Sequence, residues 1–313
     1  MLRNSLWLKG ARIDAVADLS EKARSAAKKS GVKKVYGKYE DLLKDDKIDG
    51  VIISLPNFLH QEAAVKSAEA GKHILLEKPL ARNVEEGERI LSAVKKNGVK
   101  LMIGYDMRFD PVLSGIHDKI ADGFFGEVQI AEATNITGGP FAPRSDSIGP
   151  VRVPSWWFDK ELAGGGALLD LGSHLVDLFI WYFGEVASAS CFLKYMYRTD
   201  LEDVATCILK FNNGPVATVK AGWFSKGFIE SLQICGTAKN TLIQLAPENT
   251  SSIIWKGIVR KFIGRNKNSA YYLELQHFVN CLQKDEQPQP SGEEGLRSLQ
   301  AISSAYRNAQ TVM

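Results

Sequence analysis

The stretch Gly164 to Asp177 reads GGGALLDLGSHLVD. Three glycines open it, apolar residues follow at helical spacing, and Asp170, His174 and Asp177 recur four and then three residues apart. On a regular helix that spacing stacks the three polar groups on one face. A carboxylate beside an imidazole suits proton transfer from a substrate hydroxyl. The imidazole titrates near neutral pH, and the carboxylate orients it and stabilises its charged form. The competing reading is a buried helix whose polar residues satisfy backbone groups or bridge to the next element. The stretch alone is consistent with both.

Three other groups sit where a short apolar run ends. Asp18 closes RIDAVAD; an acid there can accept hydrogen bonds from both ribose hydroxyls of an adenosine and repels a 2′-phosphate. It can equally be an ordinary acid on the approach to a helix. Pro56, Asn57 and His60 follow GVIIS, where a Pro-Asn turn can present backbone and amide groups to a ligand, or Asn57 can cap a helix. Glu77, Lys78 and Pro79 follow HILL. An ammonium there could polarise a substrate oxygen and hold the alkoxide that forms before hydride loss, or simply pair with Glu77 at the surface.

The elements that must position these groups change character along the chain. Strand-like runs at Arg12–Asp18, Val32–Tyr36, Gly50–Pro56, His73–Glu77 and Lys100–Gly104 alternate with helical segments at 21–30, 39–44, 59–70 and 84–97. Strands that are apolar throughout and separated by amphipathic helices predict a doubly wound α/β domain over residues 1–105, with ligands at the carboxyl ends of its strands. Over 106–313 a helix near 111–122 and the strand Glu127–Thr137 precede a long Gly-, Pro- and Trp-rich loop, 138–163. Strands at 188–197, 204–211, 215–224 and 231–235 then follow with no helix between them, and Asn213-Gly214 marks a hairpin. An α+β domain with a mostly antiparallel sheet is predicted there, closed by helices at 271–283 and 292–312.

The bulk numbers narrow the function classes. At 313 residues the chain can bury two cores, and 45% hydrophobic with 24% charged residues is a globular composition. A net charge of +3, with both signs interspersed, asks for no nucleic acid; the basic run Lys256–Lys267 reads as a solvated segment. Cys191, Cys207, Cys235 and Cys281 form no CxxC pair, which fits a reducing compartment. No apolar run is long enough to span a bilayer, and the N-terminus lacks a signal-peptide core, so the expected location is the cytoplasm. His60, His73, His117 and His277 are scattered, and no metal site is expected.

Together, PNxxH at Pro56–His60, EKP at Glu77–Pro79, RFDP at Arg108–Pro111 and GGGxxxDxGxHxxD at Gly164–Asp177 resemble the Gfo/Idh/MocA family of sugar and cyclitol dehydrogenases over nearly the whole chain. The resemblance implies Lys78, Asp170 and His174 as the catalytic trio, with the proline of EKP often cis. It also implies NAD as cofactor, NADP not being excluded, held by Asp18, Pro56, Asn57, His60, Glu77, Lys78 and Pro79. Substrate would bind between the domains. Arg108, Asn135 and Trp157 join Asp170 and His174 as pocket candidates, with Tyr195, Trp156, Arg144 and Arg152 behind them. Copies would associate as a homodimer or homotetramer through the open face of the antiparallel sheet.

One departure bears on the cofactor. The family begins with a strand and GxGxxG, and this chain shows neither; Met1–Lys9 looks like the end of the helix that should follow them. The expectation is that Met1 is internal to a longer protein, with roughly 20 to 30 residues, the size of a βα piece, preceding it. The 313-residue chain itself would then bind dinucleotide poorly. The leading expectation is hydride transfer between NAD(P) and a secondary alcohol of a sugar, nucleotide sugar or cyclitol. A non-catalytic dinucleotide-binding regulator, or a metal-dependent isomerase built on Asp170, His174 and Asp177, are the alternatives.

Overall fold

A computed structural model describes residues 8–141, 144–146, 149–151, 153–197, 200–245, 250–255, 258–263 and 267–312. In the first half, β1 (Ala15–Ala17) pairs in parallel with β2 (Lys34–Tyr36). Between them runs α1 (Glu21–Lys29), whose predicted cap Ser20 accepts from the Ala23 N–H at 3.3 Å. After the short α2 (Tyr39–Leu43), a second parallel sheet is built from β3 (Gly50–Ile53), β4 (His73–Glu77) and β5 (Leu101–Gly104) in that order. The crossovers are α3 (Asn57–Glu69) and α4 (Val84–Asn97). Ile74, Leu75 and Leu76 of the central strand are fully buried, which is why its sequence is apolar on both faces. Among the described residues β1 pairs only with β2 and β3 only with β4, so two parallel sheets stand where a doubly wound fold has one. Most of the predicted leading helix end, residues 1–7, lies outside the described residues.

In the second half, α5 (Pro111–Ala121) is capped by Asp110, which accepts from the Val112 and Leu113 N–H groups at 2.9 and 3.3 Å. Then come β6 (Val128–Ile136), the hairpin β7 (Arg144–Asp146) and β8 (Gly149–Val151), the short α6 (Lys160–Ala163) and α7 (Ser173–Phe183). Strands β9 (Val186–Lys194), β10 (Val204–Phe211), β11 (Val216–Gly222), β12 (Ile229–Gly236), β13 (Asn240–Leu245), β14 (Thr250–Trp255) and β15 (Ile258–Ile263) follow. The chain closes with α8 (Lys267–Gln283), α9 (Gly292–Arg307) and β16 (Ala309–Thr311). One nine-stranded sheet results, ordered β15-β14-β13-β12-β6-β11-β10-β9-β16 and antiparallel except at β6–β11 and β9–β16.

Three differences from the sequence expectation share one cause. The run Lys256–Lys267, expected as a solvated segment, contributes β15 to the sheet; β13 and β14 extend it, and the last helix stops at Arg307 to leave room for β16. Edge strands gain their order from a partner's backbone groups, and local composition carries little of that.

The inner face of the large sheet buries Ala131, Ala133 and Val219 beneath α7 and α9. Helix α9 also touches α4, and α8 packs Leu275 and Phe278 on Leu75 and Met102 of β4 and β5. The two C-terminal helices thus brace the first half against the second, at the edge where β4 runs out.

Candidate active site

A cavity of about 210 Å³ opens there. Ser54, Leu55 and Asn57 line it from the end of β3, and Glu77, Lys78 and Pro79 from the end of β4. Trp156, Trp157, Ala163, Gly165, Asp170 and Trp223 close it from the second half of the chain. The Lys78–Pro79 peptide is cis, as the resemblance implies. The cavity is therefore the expected one, at the carboxyl edge of a parallel sheet.

Its centre is an ion pair. Lys78 Nζ donates to Asp170 Oδ1 at 2.8 Å and to the Asp170 carbonyl at 3.0 Å. Burial works against the ammonium charge, but Asp170, joined by the charges of Glu77 and Asp106, outweighs it and holds the Lys78 pKa above its ordinary 10.5. Trp223, which closes strand β11, donates its indole N–H to Asp170 Oδ2 at 3.2 Å. Trp157 stands 6.2 Å from Trp223 and 5.3 Å from Trp156, making an aromatic wall. Trp223 is a site residue that spacing could not reveal, although a tryptophan ending a strand opposite the nucleotide half is a usable sign.

The one-face stack of Asp170, His174 and Asp177 does not form. Leu168–Gly172 is a π turn, closed by i to i+5 bonds, and the regular helix starts only at Ser173. The wider turn breaks the geometry that makes i and i+4 neighbours. Asp170 faces Lys78 and Trp223, whereas His174 Nδ1 lies 3.4 Å from Asp106 Oδ1. The acid beside the imidazole is therefore Asp106, the second residue after β5, and not Asp170. His174 is also absent from the cavity lining.

Arg108 and Asp177 are corrected more sharply. Arg108 Nε and Nη2 donate to Asp177 at 2.8 and 2.7 Å, and Nη1 donates to Glu294 at 2.6 Å. The pair is 4% and 1% exposed and lies over Trp181, so neither residue can meet substrate. Their work is to tie α7 to α9. Asn135 also misses the cavity lining; it sits in β6, across from Ala221 and Glu230 and buried against the sheet. Tyr195 packs against the main core, where burial first and then the Glu202 charge push its phenol up. Arg152 lies outside the described residues, and Arg144 enters only through the backbone of β7.

The cofactor candidates divide likewise. Asp18 is exposed at the end of β1, its Oδ1 accepting from the Ser20 N–H at 2.7 Å. Asn57 lines the cavity but caps nothing: it is the first residue of α3, and its Nδ2 donates to the Ala163 carbonyl at 2.8 Å across the domain junction. Pro56 stands just before it and off the lining. His60 is 1% exposed, with Nδ1 2.8 Å from the Pro79 carbonyl and Nε2 2.9 Å from the Leu55 carbonyl. It clamps the two ligand-edge loops together and is sealed from any cofactor; burial lowers its pKa. Glu77 is different. Burial pushes it up to about 7 against the opposing charge of Lys78, and the charge of Asp106 adds to the rise. Behind it Glu274 of α8 is fully buried with neither carboxylate oxygen hydrogen-bonded, so burial, then Asp106 and Glu77, raise it far above 4.5.

Comparison with known proteins agrees with this architecture. Residues 5–105 match the model of an oxidoreductase family with an NAD-binding Rossmann fold, and residues 115–240 match that of the GFO/IDH/MocA C-terminal domain. The chain is 28% identical over 320 residues to scyllo-inositol 2-dehydrogenase (NAD(+)) of Bacillus subtilis, covering 97% of this chain and 89% of that protein. It is 29% identical over 225 residues to levoglucosan dehydrogenase of Pseudarthrobacter phenanthrenivorans, over 64% of this chain and 56% of that protein. A structure of levoglucosan dehydrogenase with NADH and levoglucosan superposes with a TM-score of 0.82 at 23% identity, covering 95% and 88% of the two chains.

Proposed function

We propose, from the premise that this chain belongs to the Gfo/Idh/MocA oxidoreductase family, that it passes hydride between a nicotinamide cofactor and a secondary alcohol of a sugar or cyclitol. The observation that carries the reading is the Lys78 ammonium, held by Asp170 at 2.8 Å inside a cavity at the sheet's carboxyl edge. The names of the relatives, a levoglucosan and a scyllo-inositol dehydrogenase, support a ring alcohol as substrate.

The residues present fit part of a dinucleotide site, its ribose and nicotinamide ends, while the sequence holds no GxGxxG for the pyrophosphate. Asp18, the turn after β3 and Glu77–Pro79 stand at successive strand ends of the first half, residues 1–105, while residues 106–313 supply the substrate side. The Asp18 carboxylate favours NAD over NADP, because it would repel a 2′-phosphate. Arg24, the cation nearest it on α1, turns onto the carbonyls of Asp18 and Leu19 at 2.6 and 2.8 Å. When bound, the nicotinamide supplies the hydride acceptor.

This chain's residues do the rest. An ammonium has three N–H groups, and Lys78 spends two of its contacts on Asp170, which leaves a donor for the substrate oxygen and stabilises the alkoxide. The family resemblance, and not the cavity lining, assigns the hydroxyl proton to His174, whose imidazolium Asp106 beside Nδ1 would stabilise. Trp157 and Trp223 offer flat apolar walls to the C–H faces of a ring and exclude water. Among the described residues no helix is long and apolar enough to cross a membrane. The free cysteines support a cytoplasmic site, and the exposed Ile130, Phe192, Ile208 and Val216 on the large sheet support association of copies through it.

Incubation with NAD⁺ and a panel including levoglucosan and scyllo-inositol tests the reading: NADH absorbance should rise with at least one, and Lys78→Ala should slow that rise by about 10²–10³-fold. Dinucleotide binding without turnover across the panel would make the chain a non-catalytic member of the family. Light scattering should give a multiple of 34.5 kDa; a monomeric mass would remove the association.

A further inference from the structure

One buried carboxylate next to the site has no part in the chemistry above. Glu202, in the turn between β9 and β10, is 3% exposed. Its Oε2 accepts from the Gly166 N–H at 3.1 Å and its Oε1 from the Leu168 N–H at 3.0 Å. Its backbone carbonyl accepts from the Ala167 N–H at 3.0 Å. Three successive N–H groups at the start of the π turn are therefore held by this single residue. Such groups open a helix and have no partner within it, and a carboxylate suits the positive end of the helix dipole.

The cradle is built around that contact. A Cβ on Gly166 would overlap the Glu202 carbonyl, and a Cβ on Gly165 would stand 2.5 Å from the Tyr306 hydroxyl. The glycines of GGGALLD thus let the chain approach these two side chains. Tyr306 of α9 donates its hydroxyl to Glu202 Oε1 at 2.7 Å. Tyr195, Cys191 and Cys207, none of them a cation, are other titratable groups among the described residues that feel the Glu202 charge. Burial pushes the Glu202 carboxyl up from its ordinary value, and the backbone N–H groups and the Tyr306 phenol pull against that rise, so its position is set by theirs and theirs by it.

Asp170 lies two residues beyond Leu168, and its N–H closes onto the Gly166 carbonyl at 3.0 Å. We propose that Glu202, held by Tyr306, is a positioning residue: it fixes the Gly166–Leu168 backbone and so sets where Asp170 presents its carboxylate to Lys78. The inference rests on the roles of Lys78 and Asp170 proposed above, and extends the site to a residue that touches neither cofactor nor substrate.

Glu202→Gln keeps the size but replaces one acceptor oxygen with a donor that faces an N–H group. Tyr306→Phe removes one bond and leaves the backbone contacts. Two readouts apply to each variant of the full chain. The first is the Trp223 indole ¹H–¹⁵N peak, assigned by its loss in Trp223→Phe, because that N–H binds Asp170 Oδ2. It should move in both variants, more in Glu202→Gln, while the Trp181 peak on the far side of α7 stays in place. The second is turnover: misplacement of a reacting group by about 1 Å costs on the order of 10²-fold, so kcat should fall by that scale in Glu202→Gln with KM little changed, and by less in Tyr306→Phe. An unmoved Trp223 peak in a folded variant, with kcat within twofold of the parent, overturns the proposal. Should Glu202→Gln not fold, Tyr306→Phe decides by the same criteria. Failure of Lys78→Ala to lose activity, with the Trp223 peak still shifted by Glu202→Gln, would instead sink the catalytic reading and leave the positioning contact standing.

Discussion

Asp170 and Asp177 leave the same glycine-led stretch, and each holds a cation from elsewhere in the fold. The Lys78–Asp170 pair is 19% exposed on both sides and lines the cavity, whereas the Arg108–Asp177 pair is 4% and 1% exposed and off its lining. The lysine has a donor left over; the arginine gives Nε, Nη1 and Nη2 to two carboxylates and lays its plane near Trp181. By residue type the two pairs promise the same chemistry. Access separates the one that can act from the one that can only hold α7 to α9, since an arginine giving three of its five N–H groups also has donors left.

The comparison breaks most easily at the sealed pair. Arg108→Ala strands two buried carboxylates and should cost about 3–5 kcal/mol of stability, as removal of one partner from a buried pair does. A urea midpoint within error of the parent would mean that this pair is not structural. At the open pair the loss should fall on rate: Lys78→Ala should lower kcat/KM by about 10²–10³, the scale for losing a donor to a developing oxyanion, with a much smaller change in the urea midpoint. Equal loss of stability in the two variants would erase the distinction.

Glu77 sharpens the contrast with a smaller effect. Its neighbour Lys78 is committed to Asp170, and burial lifts the Glu77 carboxyl from 4.5 to about 7. The folded protein thus binds a proton that the unfolded chain releases. The associated stability is fully present below pH 4.5 and is lost as pH rises through about 7. Thermal midpoints at pH 5 and pH 8 should differ less in Glu77→Gln than in the parent; an identical difference would place the titration elsewhere.

The repeat of strand and helix was legible in the first half because parallel strands buried on both faces are apolar throughout. His73–Glu77 and Val84–Asn97 match their predicted ranges residue for residue. Strands β13 to β15 and β16 were less legible, since they lean on neighbours for order. At the site, Lys78, Asp170 and Trp157 were named from sequence and meet at one cavity. His60 and Arg108 were named for the same kind of reason and turned out sealed, because neither type nor spacing carries information about burial.

What the sequence determined alone was local: which residues can donate or accept a proton, which runs become helix or strand, and the turn after β4 that carries Lys78. Which acid meets which base was settled only by packing. A π turn that contains Asp170 and ends before His174 sends one to Lys78 and the other to Asp106, and Trp223 and Glu202 arrive from loops far along the chain. Spacing rules hold for a uniform helix, and Glu202, which holds the opening N–H groups of this turn, lies outside any local window.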